Sequence, residues 1–170
     1  MRMLKEAALC AAVVGALAMA LSTGAESMSE PERNKELVLR MLDGVINDGD
    51  ADLFDRFLSA DYVHHGPDGK LTGTETHKEA ARTYAVAFPD IQFEALDQIA
   101  EGDKVVTRWR FTGTHKGPLP DLPPTGNAVD VTGIIIHRIE DGRVVEGWEE
   151  FGALVFMQQL GVIPSRLGDI

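Results

Sequence analysis

Apolar residues in the first half of the chain recur at the spacing of amphipathic helices. Between residues 37 and 46 they lie three and four positions apart and end at the polar turn NDGD, which predicts a first helix. ADLFDRFL predicts a second, shorter helix behind Asp50, whose side chain suits an N-cap. A third is predicted over residues 75–88, because Pro89 ends a stripe made of His77, Ala80, Ala81, Tyr84, Ala85 and Phe88.

After Pro89 the pattern becomes that of strands. DYVHHG already predicts one brief strand before the third helix, and four longer ones follow: IQFEALDQIA, KVVTRWRFTGTH, AVDVTGIIIHRI and RVVEGWEEF. Strands joined by connections as short as EGD and EDG are antiparallel. A last helix, ALVFMQQL, is predicted to end at Gly161. This order predicts an α+β fold, in which the N-terminal helices pack on one face of a curved antiparallel sheet.

The strand GIIIH is apolar on both of its faces. Ile134 and Ile136 share one face, and Gly133, Ile135 and His137 share the other. A strand that is apolar on both sides is covered on both sides, and the helices can cover only one. We therefore predict a homodimer in which the second face meets the sheet of another copy.

The N-terminal residues have the pattern of a secretory signal peptide. Arg2 and Lys5 precede the apolar run 7–21, and a small-residue cleavage site follows at residues 23–25. The run is shorter than the about 20 residues of a spanning helix, so no stable membrane anchor is expected. We predict a signal peptide at 1–25, a flexible leader at 26–33, a domain at 34–161 and a tail at 162–170, in a periplasmic or secreted protein. The alternative is a cytoplasmic protein that begins at Met28.

Charge and cysteine content remove several classes of function. With 27 acidic against 16 basic residues the formal net charge is −11, and no basic cluster is present, so nucleic acid is not an expected partner. The single cysteine, Cys10, lies inside the apolar run, which leaves no thiol for catalysis after cleavage. His64 and His65 point to opposite faces of a strand, and no dinucleotide or phosphate motif occurs. We therefore expect neither a metal site nor a cofactor.

The remaining candidates are acid–base groups on or beside the predicted strands. A carboxylate within apolar walls has its pKa raised towards neutrality, and it can then take a proton from a carbon next to a carbonyl while a histidine serves the oxygen. The alternative to a catalytic role is that the glutamate faces solvent and the histidines are packed in the core. The acid–base candidates are His65, His115, His137, Glu146 and Glu149, and the aromatic candidates for binding a substrate are Trp109, Trp148, Tyr84 and Phe88.

The register of the last hairpin decides which side chain of the final strand faces His137. A two-residue turn at Asp141–Gly142 would place Trp148 there, whereas a three-residue turn that includes Glu140, with a bulge, would place Glu149 there. Both turns suit the sequence.

Several segments, in order, resemble the SnoaL-like polyketide (ester) cyclases over about residues 34–161. They are FPDIQFEALDQIAEGDKVVTRWRFTGTHKG, PPTGNAV, HRIEDGRVVEGW and QQLG. The resemblance implies the cone of the nuclear transport factor 2-like superfamily, with a deep pocket between helices and sheet and often a dimer through the sheet. It also implies an intramolecular aldol ring closure on a polyketide ester without cofactor or metal.

The same resemblance assigns individual residues. The family's catalytic aspartate falls on Glu149, which favours the three-residue turn. Its catalytic histidine falls on Ile135, with His137 two residues along on the same face. Many relatives carry a further aspartate where this chain has Gly152.

The resemblance also gives a role to FTGTHKGPLPDLPPTGNAV, a loop in which four prolines fix the backbone. It implies a stiff lip at the pocket mouth with His115 near the rim; the alternative is a passive connection. We expect a cyclase- or isomerase-like enzyme acting on a small hydrophobic carbonyl compound. A non-catalytic carrier or sensor is the alternative, and an epoxide-hydrolase-like activity is a weaker one.

Overall fold

A computed structural model describes residues 28–67 and 69–164 of the chain. The predicted signal peptide, including Cys10, lies outside the described residues, as does the tail beyond residue 164, so export stays a prediction. None of the helices in the described part of the chain is both long and apolar enough to span a bilayer.

Helices and strands follow one another in nearly the order that the sequence predicts. The helices are α1 (Glu30–Leu42), α2 (Phe54–Phe57), α3 (Thr74–Ala87) and α4 (Ala153–Gln159), with a π-helical turn at Asp43–Asn47 and a 3-10 turn at Ala51–Leu53. The strands are β1 (Leu58–Gly66), β2 (Gly69–Thr72), β3 (Gln92–Glu101), β4 (Lys104–Thr114), β5 (Ala128–Glu140) and β6 (Arg143–Phe151).

The six strands form one curved, open sheet in the order β2-β1-β6-β5-β4-β3. The helices pack on one side of it, and the predicted α+β fold is confirmed. One pairing differs from the expected antiparallel pattern, because β1 lies parallel to β6. The two strands are far apart in the chain, so no short connection forces them to run in opposite directions.

The first helix begins earlier than the sequence pattern indicated. Ser29 is its N-cap and accepts a hydrogen bond from the backbone N–H of Glu32, and Pro31 stands in the first turn, where a missing N–H costs nothing. Residues 30–33, predicted as part of a flexible leader, are therefore helical.

Burial alternates along β5 and shows which face of the sheet is covered. Every second residue is buried, and the residues between them are more exposed; the buried ones are Val129, Val131, Gly133, Ile135, His137 and Ile139. The buried face packs against two apolar clusters. One lies under α1 around Val38 and Met41, and the other is built from aromatic side chains that include Phe88, Trp109, Phe111 and Phe156.

The proline-rich loop between β4 and β5 is tied down at its base. His115 and Asn127 are joined by a backbone hydrogen bond of 2.9 Å, and the N–H groups of Lys116 and Gly117 both donate to the Ala87 carbonyl at the end of α3. Gly117 approaches that helix so closely that a Cβ would lie 2.1 Å from the Val86 oxygen. The loop is thus a fixed part of the fold.

Candidate active site

A cavity of about 350 Å³ lies between the helices and the covered face of the sheet. Its walls are largely apolar and aromatic, as is usual for sites that bind small molecules. Apolar lining residues come from α1 and the π-helical turn, from α3, from the sheet and from α4; they include Met41, Val45, Ala81, Phe93, Trp109, Phe111, Ile135, Phe151 and Phe156.

Polar side chains meet at one part of this cavity, because three strands present them at the same level. His64 on β1 and His137 on β5 both pair in register with Gly147 on β6, which lies between them. Glu149, two residues further on β6, shares that face and pairs with Ile135. Among the described residues that line the cavity, Glu149 is the only carboxylate.

His64 connects the carboxylate to a phenol. Its Nε2 atom lies 3.4 Å from Glu149 Oε2, and its Nδ1 atom lies 3.4 Å from the Tyr62 hydroxyl. In the arrangement that satisfies all three groups, Nε2–H faces the carboxylate and the hydroxyl of Tyr62 donates to Nδ1. Burial, and then the charges of Glu149 and Glu146, raise the pKa of Tyr62, so its hydroxyl keeps the proton that it donates.

Two glycines make room for this chain of groups. A Cβ at Gly147 would lie 2.3 Å from the Tyr62 hydroxyl, and a Cβ at Gly66 would lie 2.9 Å from His64 Nε2. No side chain at either position leaves His64 and Tyr62 in place, since real Cβ contacts are not that short.

His77 reaches the cavity from the first turns of α3. Its Nδ1 atom lies 2.7 Å from the Gly73 carbonyl oxygen, and its ring packs 4.6 Å from the Tyr62 ring. Burial lowers the pKa of His77, and the nearby His64 acts in the same direction against the opposing hydrogen bond to Gly73. The neutral imidazole is therefore favoured.

His137 is almost completely enclosed, at 2% exposed. Burial, followed by the proximity of His64, lowers the pKa of His137 to about 3. Its Nδ1 atom, like Trp109 Nε1 and His77 Nε2, is buried and has no hydrogen-bond partner within the described structure. Buried polar groups without partners are uncommon in folded proteins, and functional sites are one place where they occur.

Five of the sequence-predicted site residues line the cavity: Glu149, His137, Ile135, Trp109 and Tyr84. Glu149 faces the cavity because the β5–β6 hairpin combines features of the two predicted turns. Glu140 pairs with Arg143 around a two-residue turn, and one extra residue at Val145 then shifts the register, so that His137 faces Gly147. The expected three-residue turn is wrong, but the bulge produces the same placement of Glu149.

His65 and Trp148 do not reach the cavity. They pair on the opposite, outer face of the sheet, where their rings stack at 5.7 Å. His65 Nε2 lies 2.9 Å from Glu146, whose carboxylate also contacts Arg138. These placements correct the expectation that His65, Trp148 and Glu146 serve the pocket, and they follow from the alternation of side chains along β1 and β6.

Phe88 and His115 are also outside the lining of the cavity. Phe88 is fully buried in the aromatic cluster, next to the His115 ring at 5.4 Å. His115 is fully buried as well, and its Nδ1 accepts a hydrogen bond from the Thr125 N–H inside the proline-rich loop. No residue between 115 and 127 lines the cavity, so the expected lip with His115 at its rim is not what the structure shows.

Sequence reasoning missed Tyr62, His64 and His77 as site residues. The strand DYVHHG offered two histidines on opposite faces, and only the pairing with β6 identifies His64 as the inner one. His77 did stand out on the apolar stripe of the third helix, which was the available signal. Within residues 28–67 and 69–164, no three histidine, cysteine, aspartate or glutamate side chains converge as a metal site requires.

Comparison with known proteins places these features in context. The family model described as SnoaL-like polyketide cyclase matches residues 36–160. No curated protein matches the chain.

Solved structures give a consistent result. A protein of Jannaschia sp. CCS1 named for its likeness to the SnoaL polyketide cyclases is 26% identical, with a TM-score of 0.73 over 83% of this chain and 100% of that one. TsrD of Streptomyces laurentii is 30% identical, with a TM-score of 0.71 over 81% of this chain and 100% of its own. AclR of Streptomyces galilaeus, for which a hydroxylase activity has been suggested, is 28% identical, with a TM-score of 0.71 over 81% and 86%.

Proposed function

The chain belongs to the SnoaL-like polyketide cyclase family and has its nuclear transport factor 2-like fold, and from this premise we propose that the cavity carries out acid–base chemistry on a small hydrophobic carbonyl compound. The family supports a role of the cyclase or isomerase type. The observation that carries the finer proposal is the position of Glu149, the only carboxylate among the described lining residues.

Glu149 is the proposed base. Its carboxylate takes the proton from the carbon next to the carbonyl: the C–H bond breaks, the O–H bond of Glu149 forms, and the electron pair moves to the carbonyl oxygen as an enolate. The enolate carbon then attacks a second carbonyl to close a ring, or it is reprotonated elsewhere in an isomerisation. Glu149 returns the proton in either case.

Three neighbours assist this step. His64 Nε2–H faces the Glu149 carboxylate, and Tyr62 holds the other side of the same ring, so the base keeps one orientation towards the cavity. Trp109 lines the cavity with an indole N–H that can only donate and has no partner in the described structure. We assign it to the carbonyl oxygen, where donors stabilise developing negative charge.

Exchange of protons next to a carbonyl tests the proposal without knowledge of the natural substrate. We suggest 2-tetralone in D₂O, followed by NMR, with the wild type, Glu149→Gln and the matched control Glu150→Gln. Glu150 lies beside Glu149 on β6 but pairs with Ile134 on the outer face. The loss of a positioned base lowers rates by roughly 10²–10⁴-fold.

The expected result is exchange above the buffer rate in the wild type and in Glu150→Gln, with a loss of that size in Glu149→Gln. Undiminished exchange in Glu149→Gln would show that another group is the base. A wild type that binds 2-tetralone without catalysing exchange would favour the alternative function, a non-catalytic carrier or sensor of small apolar molecules. That alternative is supported by Ile135, onto which the resemblance places the family's catalytic histidine, because an isoleucine side chain cannot transfer protons.

A homodimer through the outer face of the sheet is part of the proposal. Ile99 and Ile134 are 68% and 47% exposed on that face. Its arginines are already neutralised within the chain, because Arg108 pairs with Asp97, Arg110 with Asp130 and Arg138 with Glu146. An apolar face with internally paired charges suits a second copy of itself, despite the acidic charge of the whole chain.

A further inference from the structure

His77 carries information about the ligand, because its tautomer can be assigned. Nδ1 lies 2.7 Å from the Gly73 carbonyl oxygen, which can only accept a hydrogen bond. The proton of the neutral ring is therefore on Nδ1, and Nε2 presents a lone pair. The burial that lowers the pKa of His77 disfavours a second proton at Nε2.

That lone pair is left without a donor by the protein. Nε2 is buried and unpartnered within the described structure, and the residue as a whole is 8% exposed. The ring of Tyr62 lies 4.6 Å from that of His77, but the hydroxyl of Tyr62 is directed to His64 Nδ1 instead. Phe54, on another side of the ring at 6.3 Å, has no hydrogen to donate.

A second hydrogen-bond acceptor of the cavity, the Glu149 carboxylate, is differently placed. The Glu149 carboxylate already faces His64 Nε2. His77 therefore stands as a neutral acceptor in an apolar wall, and the molecule that satisfies it must bring a donor of its own.

We propose that the ligand of this cavity carries a hydroxyl group, phenolic or enolic, that donates a hydrogen bond to His77 Nε2. The inference rests on the proposed function in so far as it concerns the same cavity, and it adds one functional group to the proposed ligand: a hydroxyl that reaches His77 Nε2. A site built to bind a hydroxyl discriminates strongly against the analogue that lacks the donor, since its own acceptor is then left unpaired.

The test compares 2-naphthol with 2-methoxynaphthalene, which has the same ring system but no donor. Dissociation constants are measured by calorimetry for the wild type, His77→Phe and Glu149→Gln. We expect the wild type to bind 2-naphthol about ten-fold or more tightly than the ether, the scale of one satisfied hydrogen bond. The preference should vanish in His77→Phe and persist in Glu149→Gln.

A second measurement on the unmodified protein covers the case in which His77→Phe does not fold. The ¹⁵N resonance of His77 Nε2 should shift on addition of 2-naphthol and not on addition of the ether. An absent shift, an equal affinity for both probes, or a lack of binding of both overturns the proposal. So does a preference that is lost in Glu149→Gln but kept in His77→Phe, because the carboxylate would then be the acceptor.

The outcomes separate this inference from the proposed function. If 2-tetralone protons exchange in a way that depends on Glu149 but 2-naphthol is not preferred, the hydroxyl site is refuted and the proposed enzymatic function stands. If 2-naphthol is preferred in a way that depends on His77 but no exchange occurs, the hydroxyl site stands and the protein is a binding protein without the proposed catalysis.

Discussion

Among the described residues that line the cavity, three imidazole rings (His64, His77 and His137) lie near a single carboxylate, Glu149. Burial lowers the pKa values of His77 and His137, so these two rings stay neutral. His64 contacts the Glu149 carboxylate. In the functions proposed above, Glu149 moves the proton, His64 positions the Glu149 carboxylate, and His77 binds the hydroxyl of the ligand. Neutral rings also keep the apolar cavity free of charges that would have no partner.

The buried His137 makes the stability of the protein depend on pH. Its pKa is about 3 in the folded protein and near 6.5 in the unfolded chain, so the unfolded chain takes up a proton first as the pH falls. The resulting stability is complete above pH 6.5 and is lost progressively towards pH 3. At pH 4.5 the loss amounts to roughly 2–3 kcal/mol of the free energy of unfolding.

His137→Gln isolates this effect, because glutamine does not titrate. Urea denaturation of both proteins at pH 7 and pH 4.5 should show a smaller decline for the variant by about that amount. The same decline in both proteins would mean that His137 contributes nothing to the pH dependence.

At the scale of elements, the site is made by the way β1, β5 and β6 meet. Periodicity predicted all four helices and all strands except β2, because each of those elements has its own pattern of apolar residues. Periodicity could not predict that β1 lies beside β6, since a parallel pairing between strands distant in sequence produces no recognisable pattern in either segment. His64 was therefore overlooked and His65 chosen in its place.

The bulge at Val145 shows the same limit within one hairpin. Asp141 and Gly142, with φ angles of 50° and 72°, form the two-residue turn that would have put Trp148 inside. One extra residue reverses this and turns Glu149 into the cavity, because side chains alternate along a strand. A turn can be predicted from its residues, but a bulge in the following strand depends on what the sheet packs against.

The junction of the strands at Gly147 can be tested by adding one methyl group. Gly147→Ala places a Cβ where only 2.3 Å separates it from the Tyr62 hydroxyl, so Tyr62 must move away from His64. We expect a loss of about 1–3 kcal/mol in the free energy of unfolding, typical of overpacking.

Gly152→Ala is the matched control, since its Cβ would lie 3.6 Å from the nearest atom, an ordinary contact. It should change stability by no more than about 0.5 kcal/mol, as for most tolerated positions. Denaturation curves for the two variants and the wild type give the three free energies of unfolding. Equal stability of all three would contradict the assigned role of Gly147.

At the scale of the whole molecule, the two faces of the sheet have different surroundings. One encloses the cavity, and the other presents Ile99 and Ile134 among paired charges. Exposed apolar residues on the outer face of a sheet are commonly covered by another chain, and a symmetric dimer covers them with the same surface on both copies.

Sedimentation velocity at micromolar concentration tests the proposed dimer. The wild type should sediment as a dimer and Ile134→Lys as a monomer, because the lysine would bring a like charge into a self-complementary contact. Leu154→Lys is the control: Leu154 is 65% exposed but belongs to α4, which packs on the cavity side. A monomeric wild type would refute the dimer outright.

The parallel pairing of β1 with β6 also affects the order in which parts of the fold form during synthesis. His65 and Glu146 are 81 positions apart in the chain, and ribosomes deliver β1 long before β6. Closing so large a loop is entropically costly, which makes this pairing a late event in folding. A nascent chain that has not reached β6 already holds His64 but has no Glu149, and one edge of β1 has no neighbour. The cavity is thus complete only after β6 has been synthesised, and until then β1 has an open edge of the kind that pairs with other chains in aggregation.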